Sequence, residues 1–117
     1  RAGLLSFFPS PSLTPGRLNL IRLGRRRVLV DYAHNAAAVE GLLDFVQRLP
    51  ARRRLGVVTV PGDRRDEDIR AVGRLCASLD AVIVKEDDDP RGRAPGEIAE
   101  LLLQGLVEGG LPRERTE

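Results

Sequence analysis

Three polar segments carry most of the side chains in this chain that could do chemistry, and each directly follows a short apolar run. DYAHN (residues 31–35) follows VLV, PGDRRDED (61–68) follows LGVVTV, and EDDDPRGR (86–93) follows AVIVK. The first segment brings a carboxylate, a phenol, an imidazole and an amide into five residues. His34 is the only histidine, which excludes a histidine-rich metal site and leaves the imidazole to donate to a ligand oxygen or to shuttle a proton. A capped helix is the plain alternative: Asp31 would accept from backbone N–H groups and His34 would be half exposed. The residues fit both readings.

In the second segment, acids in the first turn of a helix complement its dipole, so DRRDED has an ordinary structural role. Asp63, nearest the strand end, is placed to point into a cleft. In the third, Glu86, Asp87, Asp88 and Asp89 are four successive acids that repel one another and need cations nearby. A solvated loop answers this; so does a site for an ammonium or a guanidinium, which a carboxylate grips in bidentate fashion. Arg91 and Arg93 are suited in turn to a carboxylate. A loop carrying both signs fits a zwitterionic ligand such as an amino acid. No GxxxxGK[ST] or GxGxxG segment is present, so nothing here cradles a triphosphate alone. No Ser-His-Asp or Cys-His arrangement stands out, and no catalytic residue is assigned to this domain by itself.

These segments need elements to hold them. Val39, Leu42, Leu43, Val46 and Leu49 recur at helical spacing, with Asn35 as N-cap and Pro50 as stop. Ile69, Val72, Leu75, Cys76 and Leu79 mark a second helix. Ile98, Leu101, Leu102 and Leu106 mark a third, with Pro95 in its first turn and Gly109-Gly110 as its end. The run 55–60 is continuously apolar, as in strands covered on both faces. Residues 18–23 and 28–31 pair as a hairpin about Gly24. Alternating strands and helices predict an α/β, Rossmann-like, open and mostly parallel sheet with helices on both faces and an antiparallel N-terminal hairpin. If the three strands before the polar segments are parallel, those segments share the sheet edge where ligands bind. No strand follows the third helix in this sequence; the one the pattern calls for is missing or begins just past Glu117.

At 117 residues the chain makes one domain with one core. The expected division is an extended or linker segment over 1–14 and the domain proper over 15–117. No run approaches a membrane span and no signal segment opens the chain, which favours a cytoplasmic setting. Net charge is only +2, aromatics are few and the basic residues interleave with acids. Neither a nucleic-acid surface nor a membrane partner is indicated. Cys76 is the one cysteine and sits in a helical apolar pattern, as buried filler. Oligomeric state is left open.

The succession PGR, hairpin, VLVDYAHN, PGDRRDED, VKEDDDPRGR resembles the C-terminal domain of the Mur ligase family, which includes peptidoglycan peptide ligases and folylpolyglutamate synthases. The resemblance runs from Ser6 to about Leu106. It implies part of an ATP-dependent amide ligase, in which a carboxylate is activated as an acyl phosphate and attacked by an amine. The form of the motifs is nearest to the branch that joins arginine to aspartate side-chain carboxylates. A peptidoglycan- or folate-type ligase domain is the alternative, and a non-catalytic binding domain another.

Arg17, in PGR, matches an interdomain arginine that reaches the nucleotide phosphates. Asp31 and His34 match nucleotide contacts, with Asn35 beside them. Asp87, Asp88, Asp89 and Arg91 match the place where amino-acid-adding ligases carry an Asp-Asn-Pro-Arg motif; Asp89 replaces the asparagine, and the extra carboxylate fits a cationic amino acid. Ala36 stands where the family has proline. The resemblance also implies ATP and Mg2+, bound mainly by a central domain not contained in this sequence. It implies a C-terminal domain cut short at its end, whose partners are ATP, an amino acid and the remaining domains of the same ligase.

Overall fold

The structure, a computed structural model, describes residues 15–116; the expected linker over 1–14 lies outside them. The chain divides into two units, Arg1–Tyr32 and Ala33–Glu117.

The described part of the first unit is the hairpin. Strands β1 (Asn19–Leu23) and β2 (Arg26–Val30) pair antiparallel from Asn19↔Val30 to Leu23↔Arg26. Gly24, at φ 62°, supplies the left-handed backbone the two-residue connection needs. Asn19 is buried: its amide donates to the Arg17 carbonyl and its oxygen accepts from the Gly16 N–H.

The second unit holds three helices, α1 (Ala36–Arg48), α2 (Asp66–Cys76) and α3 (Glu97–Glu108), and two parallel strands, β3 (Leu55–Val58) and β4 (Ala81–Val84). The register runs from Leu55↔Ala81 to Val58↔Val84. Alternation divides the strands. Val82 of β4 and Val60, just past the end of β3, are buried in one core with Val39 and Leu43 of α1, Ile69 and Val72 of α2, and Ile98, Leu102 and Leu106 of α3. Leu55, Val57 and Ile83 are on the other side of the pleat and exposed. Helices α2 and α3 pack most extensively and meet backbone to backbone at Gly73 and Gly105. Cys76 is buried in this core, which pushes its thiol up to about 11.

The mixed α/β architecture with an antiparallel hairpin and a parallel pair is the one the sequence predicts. Some details differ. The described ladders are two, β1–β2 and β3–β4, so the apolar run before DYAHN is a hairpin strand and not a member of the described parallel pair. Its short turn makes the local partner the easiest one to reach. Pro95 lies before α3, not in its first turn, because Gly96 takes a left-handed φ of 86° at the N-cap. After α3, Thr116 makes an isolated parallel bridge to Val82, in the polar segment where the sequence predicts no strand.

Candidate functional site

In the hairpin unit, two predicted site residues are positioned by backbone. The Asp31 carboxylate accepts from the Leu18 N–H at 2.7 Å, holding Leu18 at φ 49°. That is the structural role available to this aspartate from sequence, and it fixes the loop that carries Arg17. The Arg17 guanidinium lies 5.5 Å from the centroid of the exposed Tyr32 ring, an arrangement in which the ring face steadies a cation.

In the α/β unit, the end of the 31–35 segment becomes the start of α1. Asn35 is extended (φ −124°, ψ 163°) and its side chain accepts from the Ala38 N–H at 2.9 Å, so it is the N-cap. His34 and Asn35 border a cleft of about 310 Å3 whose other walls include Val60, Arg64 and Asp68. Arg64 was not singled out from sequence. Its Nε is buried with no hydrogen-bond partner among the described residues. Donors of this kind beside a helix N-terminus suit an anionic oxygen. His34 is half-buried at that rim.

The 61–68 and 86–93 loops are interlocked. Gly62 has no room for a side chain, since a β-carbon would run into the Pro90 carbonyl oxygen. Arg93 ties both loops. Its guanidinium donates to the Gly62 carbonyl and to the Arg64 carbonyl, each at 2.7 Å, and pairs with Asp66 at 2.8 Å and Glu97 at 2.6 Å. With its side chain only 15% exposed and its donors engaged, Arg93 is a clamp and not the carboxylate ligand that the sequence made equally open to it and to Arg91. The four-acid run also divides. Glu86 accepts from the Gly96 N–H at 2.9 Å and the Ala99 N–H at 3.2 Å; these bonds, the Gly96 one foremost, hold its carboxyl below the usual range. Asp89 accepts from the Arg91 N–H at 2.9 Å, forming a local turn. Asp87 and Asp88 stay exposed.

Arg91 has a left-handed backbone, φ 51°, followed by Gly92 at 86°. This places its guanidinium on Asp63, Nη1 to Oδ2 at 2.7 Å, with both side chains about half exposed. Bonding to Arg91, above all, holds the Asp63 carboxyl below its ordinary value. Among the described residues there is no cluster of three His, Cys, Asp or Glu side chains able to hold a metal ion. No helix among them is long and apolar enough to cross a membrane.

Comparison with known proteins matches residues 16–115 to the family model for the Mur ligase glutamate ligase domain. Cyanophycin synthetase of a Nostoc species is 51% identical over 109 residues, covering 92% of this chain and 12% of that protein. The corresponding protein of Synechocystis is 49% identical over the same length. UDP-N-acetylmuramoyl-L-alanyl-D-glutamate--2,6-diaminopimelate ligase of Corynebacterium glutamicum is 37% identical over 103 residues, covering 86% of this chain and 20% of that protein. A solved structure of a ligase of that same name superposes with a TM-score of 0.70 at 28% identity, over 91% of this chain and 22% of that one. The chain thus spans about 12% of the length of the cyanophycin synthetases it matches.

Proposed function

The chain belongs to the Mur ligase family, and from there we propose that it is the amino-acid-presenting C-terminal domain of an ATP-dependent amide ligase that joins arginine to aspartate side-chain carboxylates. The observation that carries this reading is the division of labour in the loop after β4. Glu86 and Arg93 are spent on holding the backbone, while Asp87, Asp88 and Arg91 are left at the surface. Two carboxylates suit the cationic end of arginine, and the Arg91 guanidinium suits its α-carboxylate. The domain's contribution is then orientation: an amino acid gripped at both ends presents its α-amine in a defined direction.

ATP would supply the phosphoryl group that activates the acceptor carboxylate. For the nucleotide, Arg17 offers an exposed cation. His34, Asn35 and the buried Arg64 Nε offer donors that suit phosphate oxygens. Asn35 Oδ1 already accepts from Ala38, and toward a phosphate oxygen its amide nitrogen is the group that donates. Mg2+ would arrive with the nucleotide phosphates, and we assign its protein ligands to another part of the ligase.

A diaminopimelate-adding ligase is the second reading, favoured by the 0.70 superposition. Assay of the complete ligase with arginine, lysine, diaminopimelate and glutamate separates the two, arginine being expected to give the highest kcat/KM. Substitution then separates the roles. Arg91→Ala is expected to raise KM for the amino acid roughly tenfold or more by loss of a charge-assisted contact, with KM for ATP little changed. Arg17→Ala is expected to do the reverse. Interchanged effects would refute the assignment.

A further inference from the structure

Arg91 is already paired. Its partner, Asp63, comes from the other loop, and the geometry has three features a permanent structural bridge would not need. The contact is a single one, Nη1 to Oδ2 at 2.7 Å, although a guanidinium offers a two-pronged fork. Both side chains are about half exposed, 47% for Arg91 and 54% for Asp63, so water reaches the pair and its net contribution to stability is small. The backbones beneath are held by other bonds. Asp89 accepts from the Arg91 N–H, the Arg93 N–H donates to Pro90, and Arg93 clamps the loop to Gly62 and Arg64. Breaking the Asp63–Arg91 bond would therefore leave both loops standing and free a preoriented guanidinium.

We propose that Asp63 is a built-in placeholder that occupies Arg91 until the α-carboxylate of the incoming amino acid displaces it. This rests on the reading of Arg91 as the carboxylate ligand given above. A free α-carboxylate can take the fork with both oxygens, which one Asp63 oxygen does not. The exchange trades one carboxylate for another on the same cation, so Arg91 is not left bare at either stage. The competition is selective: a compound with the right side chain and amine but no carboxylate neither displaces Asp63 nor is opposed by it. Asp63 thus tempers the affinity for the amino acid without itself touching the substrate, because it competes only with a ligand that carries a carboxylate.

The test is kinetic and uses the complete ligase carrying this domain, with arginine and argininamide as alternative amines. Asp63→Asn keeps the size of the side chain and removes its charge. It is expected to lower KM for arginine roughly two- to fivefold, the scale on which an exposed ion pair competes, and to leave KM for argininamide unchanged. Arg91→Ala is the control on the underlying reading: it should raise KM for arginine and erase the preference over argininamide. If Arg91→Ala leaves both values as they were, the reading of Arg91 fails and takes the placeholder with it. If Arg91→Ala behaves as stated but Asp63→Asn leaves KM for arginine unchanged, raises it, or lowers it equally for both amines, the placeholder alone is overturned. A rise would put Asp63 in direct contact with the substrate.

Discussion

Glu86 and Arg93 show how a charged residue in a site can be spent entirely on holding its neighbours. Glu86 stands at the end of β4 yet accepts from two backbone N–H groups around the start of α3, an end with no capping side chain at Gly96. A carboxylate at this position meets both the free N–H groups and the positive end of the helix. Its carboxyl is held below the ordinary value of 4.5 by those bonds, Gly96 first and Ala99 second. A depressed folded-state value means stability that is complete above the unfolded value and lost as pH falls through the folded one. As pH falls below the ordinary value of 4.5 and through the depressed folded one, the wild type is therefore expected to lose Tm over that interval. Glu86→Gln should start lower at neutral pH and lose less over that interval. Thermal unfolding followed by circular dichroism across the interval checks this; parallel slopes for the two proteins would show that the capping bonds do not carry the titration. Asp63, Glu67 and Asp68 also have depressed carboxyls, through Arg91, Arg74 and Arg65 respectively, so the slope of Glu86→Gln is expected to shrink without vanishing.

At the scale of elements, glycine marks where two helices touch. A β-carbon on Gly73 would lie 2.9 Å from the Gly105 Cα and 3.0 Å from the Leu106 nitrogen, and one on Gly105 would strike the Arg70 carbonyl. Both contacts are with backbone, which cannot swing aside. Gly73→Ala is expected to destabilise by about 2 kcal/mol through overpacking. Gly41, inside α1, has nothing within 4 Å of its would-be β-carbon, so Gly41→Ala should stabilise by about 0.5–1 kcal/mol through chain entropy and helix propensity. Urea unfolding of the two variants tests the contrast in sign. The elements were largely legible beforehand because their signals are local: Asn35 caps α1, Pro50 follows its end, Gly24 turns the hairpin, Gly109-Gly110 closes α3. Pairing across distance was not legible. Nothing in the periodicity of α2 or α3 says that Gly73 faces Gly105. Nothing in EDDDPRGR says that Glu86 turns to α3 while Asp89 folds back on Arg91, because each choice depends on where the backbone N–H groups of Gly96, Ala99 and Arg91 come to lie. Arg64 escaped notice for the same reason, as one arginine among many until its Nε is seen buried beside the His34 rim. Arg54, just before β3, donates to the Val46 and Leu49 carbonyls and closes the C-terminal end of α1.

At the scale of the whole molecule, the proposed amide ligation sets requirements beyond the orientation of an amine. An activated carboxylate requires a nucleotide triphosphate held in line with its acceptor, its charge neutralised by metal and by a nest of backbone N–H groups. The sequence contains no GxxxxGK[ST] loop. The cleft beside His34 and Arg64 is of a size to take part of a nucleotide, and the described residues offer no cluster of metal ligands around it. What the chain does offer is a pair of interlocked loops that could orient an amine, and orientation accelerates a reaction only between partners that are both present. The purified 117-residue chain, given ATP, Mg2+, arginine and an aspartate-bearing acceptor, is therefore expected to release no phosphate above the buffer rate. Phosphate release measured over hours, with the complete ligase as the positive control, checks this. Turnover by the chain alone would mean that the triphosphate is held by residues other than those described, and the division of labour proposed between this domain and the rest of the ligase would have to be abandoned.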